Sequence, residues 1–295
     1  MSFRRTPSGL SNMHLFLQVD VVVFTEGGSV SYSSSEVLSG AYNTQSVDLL
    51  FWTKIFKVFL PKKKLAFRAI GSKSTIKSIA SDIALGSVKN VYVATDRDTD
   101  NFRGKLIKAP GVFYTFGYSW ENDVWCADVV EEAFYTLCPV SRNEVQVRSE
   151  INSCYEQFGK DIRWAVYADI LLSCHGSSLL PRGKPESVIS FEASGKPCVN
   201  RQRLRSLIQC KKQKKLNKIF LGQKAQFHPL CDCYGHIVSS FSYRIIVYLL
   251  KNNSNSPPLP KDYAYAIGID KFVSGLINGQ FIDCYKHYEG QFLLV

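Results

Sequence analysis

The stretch "VYVATDRDTDN", residues 91–101, decides how the chain is read, because it opens as a strand and then sets Asp96, Asp98 and Asp100 at alternating positions. Val91, Tyr92, Val93 and Ala94 are a short, mostly β-branched or aromatic run, bounded upstream by Lys89 and Asn90 and downstream by charge. That pattern predicts a strand covered on both faces. In an extended segment residues two apart point the same way, so the three carboxylates are expected to converge. Converged carboxylates repel and raise one another's pKa unless solvent or a cation neutralises them. A divalent ion with oxygen ligands is the natural neutraliser, and Mg²⁺ suits one or two carboxylates plus a substrate phosphate. The alternative is a solvated turn with capping aspartates.

Working outward, the same grammar recurs. "VDVVVFTEGG" at 19–28 predicts a strand from Val19 to Thr25, then Glu26, then two glycines that let the backbone turn tightly and approach a ligand. "KLAFRAIGSKSTIKSIASDIAL" at 64–85 reads as a strand, a Gly71-Ser72-Lys73 turn and a helix from Thr75 to Leu85. "GVFYTFGYSWENDVW" at 111–125 reads as a further strand ending near Gly117, which brings Glu121 and Asp123 to the same edge. Strands separated by helices or long connections imply a mostly parallel α/β sheet flanked by helices. In such sheets the carboxyl ends of the strands line the ligand crevice, where acids past neighbouring strands can meet.

The set "FTEGG", "GSKST", "VATDRDTDN" and "YSWENDVW" resembles the Toprim fold, whose signature is Glu-Gly after the first strand and Asp-x-Asp after a later one. More narrowly it is similar to Toprim nucleases that act as effector partners of ABC-type ATPases in bacterial anti-phage systems. The resemblance covers roughly residues 15–135. It implies a Mg²⁺- or Mn²⁺-dependent endonuclease that is held by its ATPase until released, forms a homodimer when active, and cleaves host transfer RNA (tRNA). By position it implies Glu26 as metal ligand or general acid/base, Asp96 and Asp98 as metal ligands, Glu121 as a catalytic acid after the last core strand, and Lys73 as a phosphate contact. One departure stands out: relatives often place an aspartate soon after Glu-Gly, whereas here the serine-rich "SVSYSSSEVLSGAYNTQ" intervenes, making Asp48 the displaced equivalent. The segment 29–46 is expected to be a lid, a partner-docking loop or a plain surface excursion.

Residues 136–295 are expected to form a mainly helical domain. A long amphipathic stretch runs from Asn143 to Cys174, and a Gly/Pro-rich connection at 179–199 has room for one short strand. "RQRLRSLIQCKKQKKLNK" at 201–218 carries eight basic residues and no acidic one. Leu204, Leu207, Ile208 and Leu216 give it an apolar stripe, leaving Arg201, Arg203, Arg205, Lys211, Lys212, Lys214 and Lys215 as a nucleic-acid-binding face. A merely solvated face is the alternative. "HPLCDCYGH" at 228–236 offers His228, Cys231, Cys233 and His236 for zinc, but its spacing is irregular for a finger and its end reads as a turn into an apolar helix. The turn is expected. "NNSNSPPLP" reads as a linker and "YAYAIGIDKFVSGLINGQF" as a closing helix.

Whole-chain properties agree with a polyanionic partner. The formal net charge is +11 and the pI near 9.2; clustered Lys and Arg gain affinity by releasing counterions from nucleic acid. A chain of 295 residues, 45% hydrophobic, can bury a sizeable core. No apolar run reaches the length of a membrane helix, no leader is evident, and nine scattered cysteines suit reduced thiols, so a cytoplasmic protein is expected. A nuclease cutting DNA, and a noncatalytic metal-binding or signalling module docked on an ATPase, remain the other classes. No Walker-type phosphate loop occurs, so any energy source is a partner's.

Overall fold

The computed structural model describes residues 7–28, 30–43, 45–138, 144–212, 226–254 and 259–295. They form an α/β protein with a four-stranded, all-parallel sheet flanked by helices and a helical C-terminal region. The chain divides into two compact units, neither of them one continuous segment. The first comprises Met1–Arg97, Leu106–Phe116 and Val273–Val295; the second comprises Asp98–Lys105 and Gly117–Phe272.

The first unit holds the sheet, built from β1 (Val21–Thr25), β2 (Leu65–Ala69), β3 (Val91–Thr95) and β4 (Val112–Tyr114) in the order β2-β1-β3-β4. Every residue of β1 is buried, as expected of a strand covered on both faces. β1 begins two residues later than Val19 because Asp20 belongs to the approach. Its backbone N–H donates to the Lys64 carbonyl at 2.8 Å and its carboxylate accepts from Lys64 N at 2.7 Å. β4 stops at Tyr114, short of the expected Gly117. There the Gln291 side chain accepts from Tyr114 N at 2.7 Å and donates to its carbonyl at 3.1 Å, closing polar groups that an edge strand would expose.

Alternation along the strands gives the sheet two apolar faces. On one, Val22, Phe24, Val91, Val93, Val112 and Tyr114 pack with Ile76, Ile79 and Ala80 of the helix Lys73–Ala84. On the other, Phe67, Tyr92 and Phe113 meet the helix Val47–Phe59, whose Phe56 lies 4.9 Å from Phe113 between ring centroids. The helix Ile282–Phe292 completes that face: Phe292 sits 4.4 Å from Phe113 and 4.8 Å from Phe56. The two crossover helices lie on opposite faces because the chain leaves β1 toward β2 and then returns past it to β3, and such crossovers keep one hand. Strand order therefore reverses between β1 and β3.

The serine-rich segment is more than a surface excursion. Its helix Ser34–Ser39 starts with a Ser33/Glu36 capping box, and Val37 is buried in the core. Tyr32 N donates to the Ile70 carbonyl at 2.9 Å, and Asn43 forms an antiparallel bridge with Ala69, so the segment docks at the end of β2.

The second unit is built on the helices Glu144–Cys174 and Gly235–Asn253, joined by the stacked rings of Phe158 and Phe241 at 4.1 Å and by Tyr155 Oη to Ser242 Oγ at 2.5 Å. The connection expected to hold one short strand forms an antiparallel pair, β5 (Ile189–Phe191) and β6 (Pro197–Val199). The basic helix is described over Arg201–Lys212. Lys214, Lys215 and Leu216 lie outside the described residues. No helix among the described residues is long and apolar enough to cross a membrane.

Candidate functional site

At the carboxyl edge of the sheet, Glu26 directly follows β1 and Asp96 directly follows β3, the strands between which the order reverses. Neighbouring strands lie about 5 Å apart, and the parallel register pairs Thr25 with Ala94. Two bonds tie the strand ends together. Glu26 N donates to the Ala94 carbonyl at 3.4 Å, and Thr95 Oγ1 donates to Glu26 Oε2 at 2.6 Å. Thr95 is buried whereas Glu26 and Asp96 are half-buried, so a fixed hydroxyl holds a carboxylate that solvent still reaches.

The glycines after Glu26 admit a third acid. Gly27 has φ +105°, a conformation that favours glycine, and a Cβ there would overlap the Asp48 carboxylate. Asp48 lies in the first turn of the helix Val47–Phe59, so the helix entry delivers it to the strand end despite the inserted segment. Thr25 Oγ1, in the last residue of β1, is fully buried with no hydrogen-bond partner among the described residues. Lys73 opens the helix that follows β2, the strand next to β1 on its other side, behind an N-cap in which Ser72 Oγ accepts from Thr75 N.

Asp98, Asp100 and Glu121 belong to the second unit. The extended alternation assumed for the three aspartates ends at Thr95, where a turn follows. Asp98 has φ +49°, and its N–H donates to the Tyr118 carbonyl at 2.6 Å. Spacing by two carries no common direction through a left-handed residue. Asp100 is buried in that turn, 3.8 Å from Arg103.

Glu121 lies in the short helix Trp120–Val124 and is 3% exposed. Its Oε1 pairs with His236 Nδ1 at 2.7 Å and its Oε2 accepts from Ser119 Oγ at 2.6 Å. Burial pushes its pKa up, but the bond and charge of His236 together with Ser119 outweigh that and hold the carboxyl below its ordinary value. Gly235 is required for this approach: a Cβ there would overlap Ser119 Oγ and stand 2.9 Å from Glu121 Oε2.

Three of the four side chains of the zinc alternative lie in different settings. His228 Nδ1 accepts from Cys231 N at 3.3 Å, His236 pairs with Glu121, and Cys233 is fully buried with its thiol pushed up by burial. The turn itself is held by Asn122, which donates to the carbonyls of Leu230 and Cys233 at 2.6 and 3.0 Å. Along the basic helix, Leu204 is buried and Arg203 and Arg205 are exposed. Arg201 pairs with Asp161 at 2.6 Å and Lys211 donates to Ser177 Oγ at 2.9 Å.

The edge suits a hard cation in donor type, since Glu26, Asp48 and Asp96 offer carboxylate oxygens. It does not form a closed cage. Among the described residues no three His, Cys, Asp or Glu side chains are grouped to hold a metal ion, so water and ligand oxygens would have to complete any shell. Thr95 and His236 were not singled out for these roles from sequence; the first carries the signal of a threonine ending a buried strand just before an acid. No protein-family model matches the chain, and no curated protein matches it.

Proposed function

We propose that this chain is a Toprim-like, metal-dependent endoribonuclease that cleaves host tRNA in anti-phage defence, restrained by an ABC-type ATPase partner and acting as a homodimer once released. The observation that carries the reading is the placement of Glu26 and Asp96 after neighbouring parallel strands where the strand order reverses, linked through Thr95. The resemblance of "FTEGG" and "VATDRDTDN" to the Toprim signature supplies the substrate class and the partner.

A Mg²⁺ or Mn²⁺ ion held by Glu26 and Asp96, with water and phosphate oxygens, would neutralise charge on the scissile phosphate. The chain's own residues do the rest. Thr95 fixes one oxygen of Glu26, so that its carboxylate accepts the proton of the attacking hydroxyl from a set position. Lys73, at the head of its helix, opposes phosphate charge, and Arg203 and Arg205 hold the RNA backbone by charge.

Incubating the purified protein with total tRNA and with plasmid DNA, in Mg²⁺, Mn²⁺ or EDTA, tests the reading. Metal-dependent RNA cuts that Glu26→Ala abolishes are expected. Cuts confined to DNA would move the chain to the DNA-nuclease class. Among the described residues no three side chains group to hold a metal ion, which favours one other reading, a noncatalytic module docked on the ATPase, and intact substrates under every condition would select it.

A further inference from the structure

The second unit contains a cavity of about 730 Å³ that no part of the nuclease reading uses. Its floor is apolar, made by Phe158, Phe241, Pro197 and Val199. Its walls carry neutral hydrogen-bonding side chains, among them Ser153, Gln157, Ser190 and Gln202. Its charges are balanced. Lys196 and Arg201 line it together with Asp161 and Glu192, and Asp161 accepts from both Arg201 at 2.6 Å and Gln157 at 2.9 Å.

That composition selects against a phosphate, which needs an excess of positive charge, and favours an uncharged, flat, polar ligand. Positive charge lies immediately outside. Arg201 and Gln202 belong at once to the cavity wall and to the first turn of the basic helix, on which Arg203 and Arg205 are exposed and no acidic residue occurs. A neutral polar cavity opening beside a cationic helix matches a single-stranded nucleotide, whose base is neutral and whose backbone is anionic. Amide and hydroxyl side chains supply the donors and acceptors that read a base edge, and unstacked bases are what proteins recognise in single-stranded RNA.

We propose that this cavity takes one unstacked base of a single-stranded RNA segment while the helix Arg201–Lys212 holds the adjoining phosphates. The inference rests on the reading of that helix as a nucleic-acid surface and adds a base-recognition site to it. A base placed here sets which loop of an RNA docks, independently of the sheet edge.

The test compares two oligoribonucleotides of equal length, one with bases and one abasic, binding to the intact protein, to Ser153→Trp and to Arg203→Glu/Arg205→Glu. Ser153 is exposed on the helix Glu144–Cys174 and lines the cavity, so a tryptophan there occludes part of it while leaving every residue of the core and of the basic helix unchanged. The intact protein is expected to bind the base-bearing strand at least about tenfold more tightly than the abasic one, a difference of about 1.4 kcal/mol. Ser153→Trp should remove that ratio and leave abasic binding unchanged. Arg203→Glu/Arg205→Glu should weaken both strands together. Equal binding of the two strands by the intact protein overturns the cavity proposal and leaves the helix reading standing, as does a ratio that survives Ser153→Trp. Binding of neither strand overturns both.

Discussion

Glu26 Oε2 accepts a hydrogen bond from the buried Thr95 hydroxyl, and that arrangement separates position from chemistry. Thr95→Val keeps the shape and removes the donor, at a stability cost of about 1 kcal/mol. It should lower the cleavage rate markedly with RNA affinity unchanged, whereas Glu26→Ala should abolish cleavage and lower the melting temperature by only a few degrees, because it breaks the same bond at a half-buried position without opening the core. Single-turnover cleavage and melting curves of the two variants check this. Equal activity of Glu26→Ala and the intact protein would remove the sheet edge from the chemistry. Glu121 makes a different prediction. Its folded pKa lies below the ordinary 4.5, so the stability it contributes is fully present above about that pH and is lost as pH falls through the folded value. Glu121→Gln should melt below the intact protein at pH 7, and the gap should narrow as pH is taken below about 4.5. A gap that stays constant into acid would mean the carboxylate's ionisation contributes nothing.

At the scale of elements, the basic helix divides its charges by partner. Arg201 is engaged with Asp161 and Lys211 with Ser177, while Arg203 and Arg205 are exposed on either side of the buried Leu204. Exposed cations release counterions most directly when they meet phosphate, so charge reversal at Arg203 and Arg205 should weaken RNA binding and reduce the magnitude of the log-affinity slope against log salt by up to about two. Circular dichroism should be unchanged. An unaltered salt slope, measured by anisotropy at several ionic strengths, would make this helix an ordinary solvated face. The serine-rich segment carries a related lesson. Its composition reads as loop, yet Val37 and the Asn43–Ala69 bridge dock it at the end of β2, because one apolar residue and one strand-like contact suffice to anchor a short capped helix.

For the whole molecule, the first unit depends on residues far apart in sequence. Phe292 closes the aromatic face formed by Phe56, Phe59 and Phe113, with ring centroids 4.8, 5.0 and 4.4 Å away. Phe292→Ala should cost about 3–5 kcal/mol, the usual range for deleting a buried aromatic ring. A fragment ending at residue 135 should expose that face and bind a hydrophobic dye, whereas the full chain should not. A soluble, cooperatively melting fragment of that length would show that Ile282–Phe292 is dispensable to the sheet.

The parallel sheet and its strand-end acids were legible in the residues alone, since buried strands announce themselves by short β-branched runs and the acids follow within one residue of Thr25 and Thr95. So was the basic helix, whose lack of acidic residues is a property of composition alone. How the acids are distributed depends on packing between distant segments. The left-handed backbone of Asp98 breaks the alternation that would have aligned it with Asp96, and that φ is held by contacts such as Asp98 N to Tyr118 O. Asp48 reaches Gly27 and Glu121 reaches His236 across 21 and 115 residues of chain. Such pairings depend on where helices pack, and no local pattern encodes a partner at that separation.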